Sequence, residues 1–159
     1  MGDNHKKTSF IKSNVVLKDK DSGYIDKNVS YLSSDFLIGG DHASVFLSLR
    51  FMQNDFQCFS DWDKNDMSCF WNFNNEIHQK SWTLVYSTAG KMQKTGLAYT
   101  QLPLHSYPNS DFKSQLSKDI TLFELRLNDK IRVHGFRHKS IFYLCWLDKN
   151  HTITSKKNN

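Results

Sequence analysis

Hydrophobic and polar positions alternate strictly along "ASVFLSLRF", residues 43–51. Ala43, Val45, Leu47, Leu49 and Phe51 fall on one parity, and Ser44, Phe46, Ser48 and Arg50 on the other. A period of two predicts a strand with one buried face, and Gly39-Gly40 marks the turn before it. The period then lengthens. Met67, Phe70, Trp71, Asn74 and Ile77 recur at helical spacing, with Ser60 as the expected N-cap and Asp61 and Asp63 in the first turn. Ser81 is placed to cap a second, shorter helix that carries Trp82, Val85 and Tyr86 and ends near Gly90. Pro103 and Pro108 forbid a continuous helix across 89–118, which reads as a long connection.

The final third reads as a meander. "ITLFELRL" (120–127) and "KIRVHGF" (130–136) are strands joined at Asn128-Asp129, and Arg137 to Lys139 form the next turn. "SIFYLCWL" (140–147) is apolar on both parities, so it is expected to be the most buried strand. The expectation is an α+β fold. An antiparallel sheet of about four strands carries two helices on one face, in the order strand, helix, helix, strand, strand, strand. Residues 1–40 form a lysine-rich arm broken by the apolar Val15-Val16-Leu17, 41–151 a single domain, and 152–159 a basic C-terminal tail.

Composition adds limits. Of 159 residues, 38% are hydrophobic and 14% aromatic, enough to fill a core without disulfides. The three cysteines, Cys58, Cys69 and Cys145, are odd in number and contain no CxxC, so they are expected to be reduced thiols and not a zinc site. No apolar run reaches membrane-span length, which leads to the expectation of a soluble, cytoplasmic protein with no membrane partner. The net charge of +5 changes the picture only where it clusters.

It clusters on the strand 130–136. Lys130, Arg132, His134 and Phe136 share one parity, while Ile131, Val133 and Gly135 share the other. A cation, a guanidinium and an imidazole then stand in line about 7 Å apart, with Arg126 on the neighbouring strand. Guanidinium forks suit phosphate oxygens. His151, just beyond the last strand, is placed to protonate a leaving oxygen. Cleavage of RNA by its own 2′-hydroxyl needs a base or an aligning group, charge stabilisation at phosphorus and a general acid. Arg132 fits the second role and His151 the third. Glu124, His134 or a lysine fits the first, and the sequence leaves that choice open. A metal site from His134, His138, His151 and Asp148 can be drawn, but no spacing compels it. No metal or other cofactor is expected.

In "LFELRLNDKIRVHGF" and "FYLCWLDKNH", and in element order over residues 43–151, the chain resembles the RelE/HigB/YoeB-like toxins, small bacterial ribonucleases of toxin–antitoxin pairs. The resemblance implies a ribosome-dependent endoribonuclease acting on mRNA without a metal, with the ribosome and a cognate antitoxin as partners. Arg132 matches the arginine that contacts the scissile phosphate in that family, and His151 the closing basic or aromatic residue. Arg126 is a weaker match to a basic residue of the preceding strand, and Lys91 and Lys94 stand where a basic loop precedes it. The chain departs from the family in its N-terminal arm, in the loop 89–118, and in having His151-Thr152 where one subgroup has His-Tyr. Two other readings compete: a non-catalytic RNA-binding or protein-binding module, and a phage-encoded inhibitor of a host factor.

Overall fold

A computed structural model of the chain describes residues 40–89 and 96–155. All of the expected arm but Gly40, together with Lys91 and Lys94, lies outside those residues.

The first strand, β1, covers only Phe46–Ser48 instead of 43–51. Val45 is buried and Leu47 packs on the same core, as alternation requires. Leu49, however, is exposed, and Phe51 packs into a different cluster. A turn in which the Met52 N–H donates to the Leu49 carbonyl at 3.1 Å breaks the register.

Helix α1 spans Lys64–His78 and starts at Asp63, not at Ser60. Asp63 accepts from the N–H groups of Asn65 and Asp66, and the Asp66 carboxylate accepts from the Asp63 N–H. That reciprocal cap satisfies more orphan donors than a lone serine can, and Ser60 lies in a 3-10 turn upstream. The buried stripe keeps Phe70 and Ile77 of the expected set but takes in Phe73 and loses Met67 and Trp71. Phe73 and Ile77 are inside with Phe70 and Cys69 beside them, whereas Met67 and Trp71 face solvent. Helix α2, Trp82–Ser87, is capped by the Ser81 hydroxyl, which accepts from the Leu84 N–H, and buries Trp82 and Val85.

The stretch expected to be a loop contains a two-residue strand, β2 (Thr100–Gln101), and a short helix, α3 (Asp111–Gln115), capped by Ser110. The meander follows as β3 (Leu122–Arg126), β4 (Arg132–His138) and β5 (Ile141–Asp148). Its second turn falls at Lys139-Ser140, so Arg137 and His138 belong to the strand. Residues Thr152–Ser155 form a last helical turn, α4, and Ile153 is buried. At least this part of the expected tail belongs to the domain.

The sheet has five strands in the order β1-β5-β4-β3-β2 and is mixed. β1 runs parallel to β5, and every other pair is antiparallel. The expected four-stranded antiparallel sheet is corrected in both respects. One face packs on α1 and α2 through Trp82, Phe123, Leu125, Val133, Phe142 and Leu144. The other face is covered too, by Phe51, Phe56, Tyr107, Phe112, Leu116 and Ile153 over Leu122, Phe136 and Trp146. The open basic sheet face expected from the parity of β4 is therefore not there.

A bulge helps build this second layer. His134 pairs with Trp146 and Gly135 with Leu144, leaving Cys145 as the extra residue of β5. Cys145 and Trp146 consequently both join the second cluster. The Cys145 carbonyl is taken up by the Gln53 N–H at 2.7 Å.

Candidate functional site

Two rows of side chains cross the covered face. Register places Glu124, His134 and Trp146 side by side on β3, β4 and β5. One step nearer the β3–β4 turn, it places Arg126, Arg132 and Asp148 in the next row. Within that turn the Asn128 side chain accepts from the N–H groups of Lys130 and Ile131. Arg132 Nη1 donates to the Asn128 carbonyl at 2.7 Å and the Ile131 carbonyl at 3.0 Å, which anchors the guanidinium at the sheet's end. Arg126 Nη2 donates to the Gly96 carbonyl at 3.0 Å.

Acidic and imidazole groups converge where the rows meet. His134 Nε2 lies 3.5 Å from Asp148 Oδ2 and 4.0 Å from Glu124 Oε2. His151 Nε2 lies 3.8 Å from that same Glu124 oxygen. These separations exceed a well-formed hydrogen bond. Among the described residues, Glu124 Oε2, both His134 nitrogens, His151 Nε2 and the Tyr107 hydroxyl have no hydrogen-bond partner. The Tyr107 ring stands edge-on to His134 with centroids 5.5 Å apart and stacks on Trp146 at 4.8 Å. That lid leaves His134 0% exposed, while the His151 side chain is 36% exposed at the rim.

The turn that presents His151 is held by Asp148. Its Oδ1 accepts from the Thr152 N–H at 2.8 Å and the Thr152 hydroxyl at 3.1 Å, and its Oδ2 accepts from the Ile153 N–H at 2.8 Å. His151 itself adopts φ +53°, a left-handed conformation that a non-glycine residue keeps only when its neighbours hold it. Gln57 braces the turn from across the molecule. Its amide donates to Thr152 Oγ1 at 3.0 Å, and its carbonyl accepts from the Asn150 N–H at 3.1 Å. Lys149 ties down the outside, 2.6 Å from Asp66 at the start of α1.

This environment tunes the acids and bases. Burial pushes the Glu124 carboxyl up to about 7; Arg132 opposes the rise and Asp148 adds to it. Burial lowers the His151 imidazole, Arg132 lowers it further, and Asp148 works the other way. His134 is lowered, chiefly by burial, against the pull of Asp148. For Asp148, burial alone would raise the carboxyl. The His134 ring and the Ile153 and Thr152 N–H groups outweigh it and hold Asp148 below the usual range. Burial also lowers the Arg132 guanidinium, with Glu124 opposing.

Of the sequence-derived candidates, Arg132, His151, Glu124 and Arg126 lie around one end of the sheet. His134 is adjacent but sealed beneath Tyr107, so it cannot contact a bound RNA as expected. Lys130 is exposed in the β3–β4 turn, where its charge acts on Asp66 of α1. His138 lies at the opposite end of β4, paired with Ile141, so the four-residue metal set is not assembled. Among the described residues no group of three His, Cys, Asp or Glu side chains is placed to hold a metal ion. Sequence reasoning missed Asp148 as the clamp of the turn and Tyr107 as the lid. The first was visible only as an acid four residues before the turn Thr152–Ser155, outside the N-cap position, which falls at His151. Tyr107 carried no signal, because its position depends on how the connecting segment folds back.

Comparisons with known protein families, curated proteins and solved structures find no match for this chain.

Proposed function

We propose that the chain is an endoribonuclease that cleaves mRNA by attack of the 2′-hydroxyl, in the manner that its resemblance to the RelE-like toxins implies. One observation carries the reading: Glu124 Oε2 and His151 Nε2 stand 3.8 Å apart, both atoms shielded from solvent, with the Arg132 charge acting on each and the His151 side chain as a whole 36% exposed at the rim. Glu124 aligns and deprotonates the 2′-hydroxyl. Arg132, with Arg126 next to it, stabilises the charge on the phosphorane. His151 protonates the departing 5′-oxygen. A carboxyl whose midpoint is about 7 suits a base working near neutrality. Burial and Arg132, however, lower the His151 imidazole, so the active ionisation, Glu124 charged and His151 protonated, is a minor form of the free protein that a bound phosphate has to stabilise. In the free protein Glu124 and His151 are close enough to titrate as a pair, and a bound phosphate would sit between them and Arg132. The toxin-like arrangement of the sheet, action on the ribosome and neutralisation by an antitoxin that covers the basic rim are parts of this proposal.

The test is induction of the chain under tight control with mapping of new mRNA 5′ ends. Wild type produces new ends and arrests translation. Arg132→Ala, His151→Ala and Glu124→Gln each reduce cleavage by about a hundredfold or more. Salt-sensitive retention on RNA with no new ends would make the domain a binding module instead.

A further inference from the structure

We propose that Asp148 is the positioning residue of this site: its carboxylate fixes the turn that presents His151 and offsets the charge of its cross-strand partner Arg132 at the Glu124–His151 pair. This rests on the nuclease reading for its functional consequence, but its physical content is independent of cleavage.

The geometry is specific. Asp148 is fully buried, yet both of its oxygens are engaged by the backbone N–H groups of the turn. A capping role alone needs only a side-chain acceptor, and a serine hydroxyl can supply one. A buried carboxylate adds a charge, and its surroundings are arranged around that charge. Asp148 stands directly opposite Arg132 in the β4–β5 ladder, with His134 Nε2 3.5 Å away. The groups facing the acid–base pair are Arg126 beside it on β3, Arg132 and His134 on β4, Asp148 on β5, and Tyr107 from the covering segment. Lys149 turns outward to Asp66 and takes no part. Within this set Arg132 pulls both Glu124 and His151 down, and Asp148 pushes both up. The two cross-strand partners thus act in opposite senses on the same two groups. Removing one should displace both midpoints together, which loosening a turn would not do.

The experiment is NMR titration of the Glu124 carboxyl carbon and the His151 ring in the full chain without RNA. Wild type is compared with Asp148→Asn, Asp148→Ser and Thr152→Val. The asparagine and serine variants keep an acceptor for the turn but remove the charge. In either, both midpoints fall together, by about half a pH unit or more, and the pH optimum of RNA cleavage moves to lower pH with kcat affected more than KM. Thr152→Val loosens the turn without removing charge: the His151 midpoint rises alone as its burial is relieved, and the Glu124 midpoint stays in place. Unmoved midpoints in a folded Asp148 variant would overturn the proposal. So would failure of both Asp148 variants to fold, since Asp148 would then be a structural cap alone. Absence of cleavage by the wild-type chain would instead remove the nuclease reading and leave the midpoint result standing.

Discussion

Glu124 is a carboxyl held under a layer of aromatic rings, one oxygen unpartnered among the described residues, between two imidazoles. Such a group costs stability that an apolar or neutral side chain would not. The pH dependence follows from its midpoint, raised from 4.5 to about 7. The folded chain binds this proton more tightly than the unfolded chain does. The group is therefore least costly below its unfolded value, and stability is lost as pH rises through the folded one. Glu124→Gln removes that loss. In urea melts the variant should gain about 1–3 kcal/mol over wild type at pH 8 and much less near pH 4.5, while losing cleavage. Equal stabilisation at both pH values would contradict the account. At this scale the sequence was legible in part. The parity of "KIRVH" correctly set Arg132 and His134 on one side of β4. It could not show that this side is roofed, because the roof comes from Tyr107 and Phe112, distant in sequence and held by packing against Trp146.

The β4–β5 hairpin is the element that assembles the site, and its bulge depends on Gly135. A Cβ there would stand 1.9 Å from the Tyr143 carbonyl oxygen and 2.9 Å from the Phe142 ring. Neither the backbone nor the packed ring can yield, so Gly135→Ala should destabilise the fold by about 3 kcal/mol or more. A thermal melt with the midpoint within a degree or two of wild type would refute this. The bulge was hidden in the sequence because β5 is apolar on both parities, so an extra residue leaves no break in its pattern. The same limit explains the misread stripe on α1. Ile77 was expected inside and is, but Met67 and Trp71 satisfy helical spacing as well as Phe73 does, and only the packing of the helix into the core selects between them. Local chemistry was read correctly at the Ser81 cap and the Asn128 turn, but not at the start of α1, where the reciprocal Asp63–Asp66 cap displaces Ser60. The parallel pairing of β1 with β5 was not legible, since it joins residues about a hundred positions apart.

Across the whole molecule, the net charge of +5 matters less than its disposition. Among the described residues several cations are engaged away from the site. Arg137 is spent on Asp41, Tyr86 and the Trp82 ring, and Lys149 on Asp66. No helix of the described residues is long and apolar enough to cross a membrane. In the proposed function the charges that meet RNA phosphate at the site are Arg126 and Arg132, with His151 at the rim. Binding to single-stranded RNA should weaken with salt, with the logarithmic slope losing about 0.7 in magnitude in Arg126→Ala. An unchanged slope would mean that the guanidinium does not meet a phosphate. The most direct measurement is the map of mRNA 5′ ends after induction of the wild type, Glu124→Gln, Arg132→Ala and His151→Ala chains. The account predicts new ends with the wild type and their near disappearance in all three folded variants. New ends persisting undiminished in any folded variant, or absent with the wild type while it still binds RNA, would contradict it.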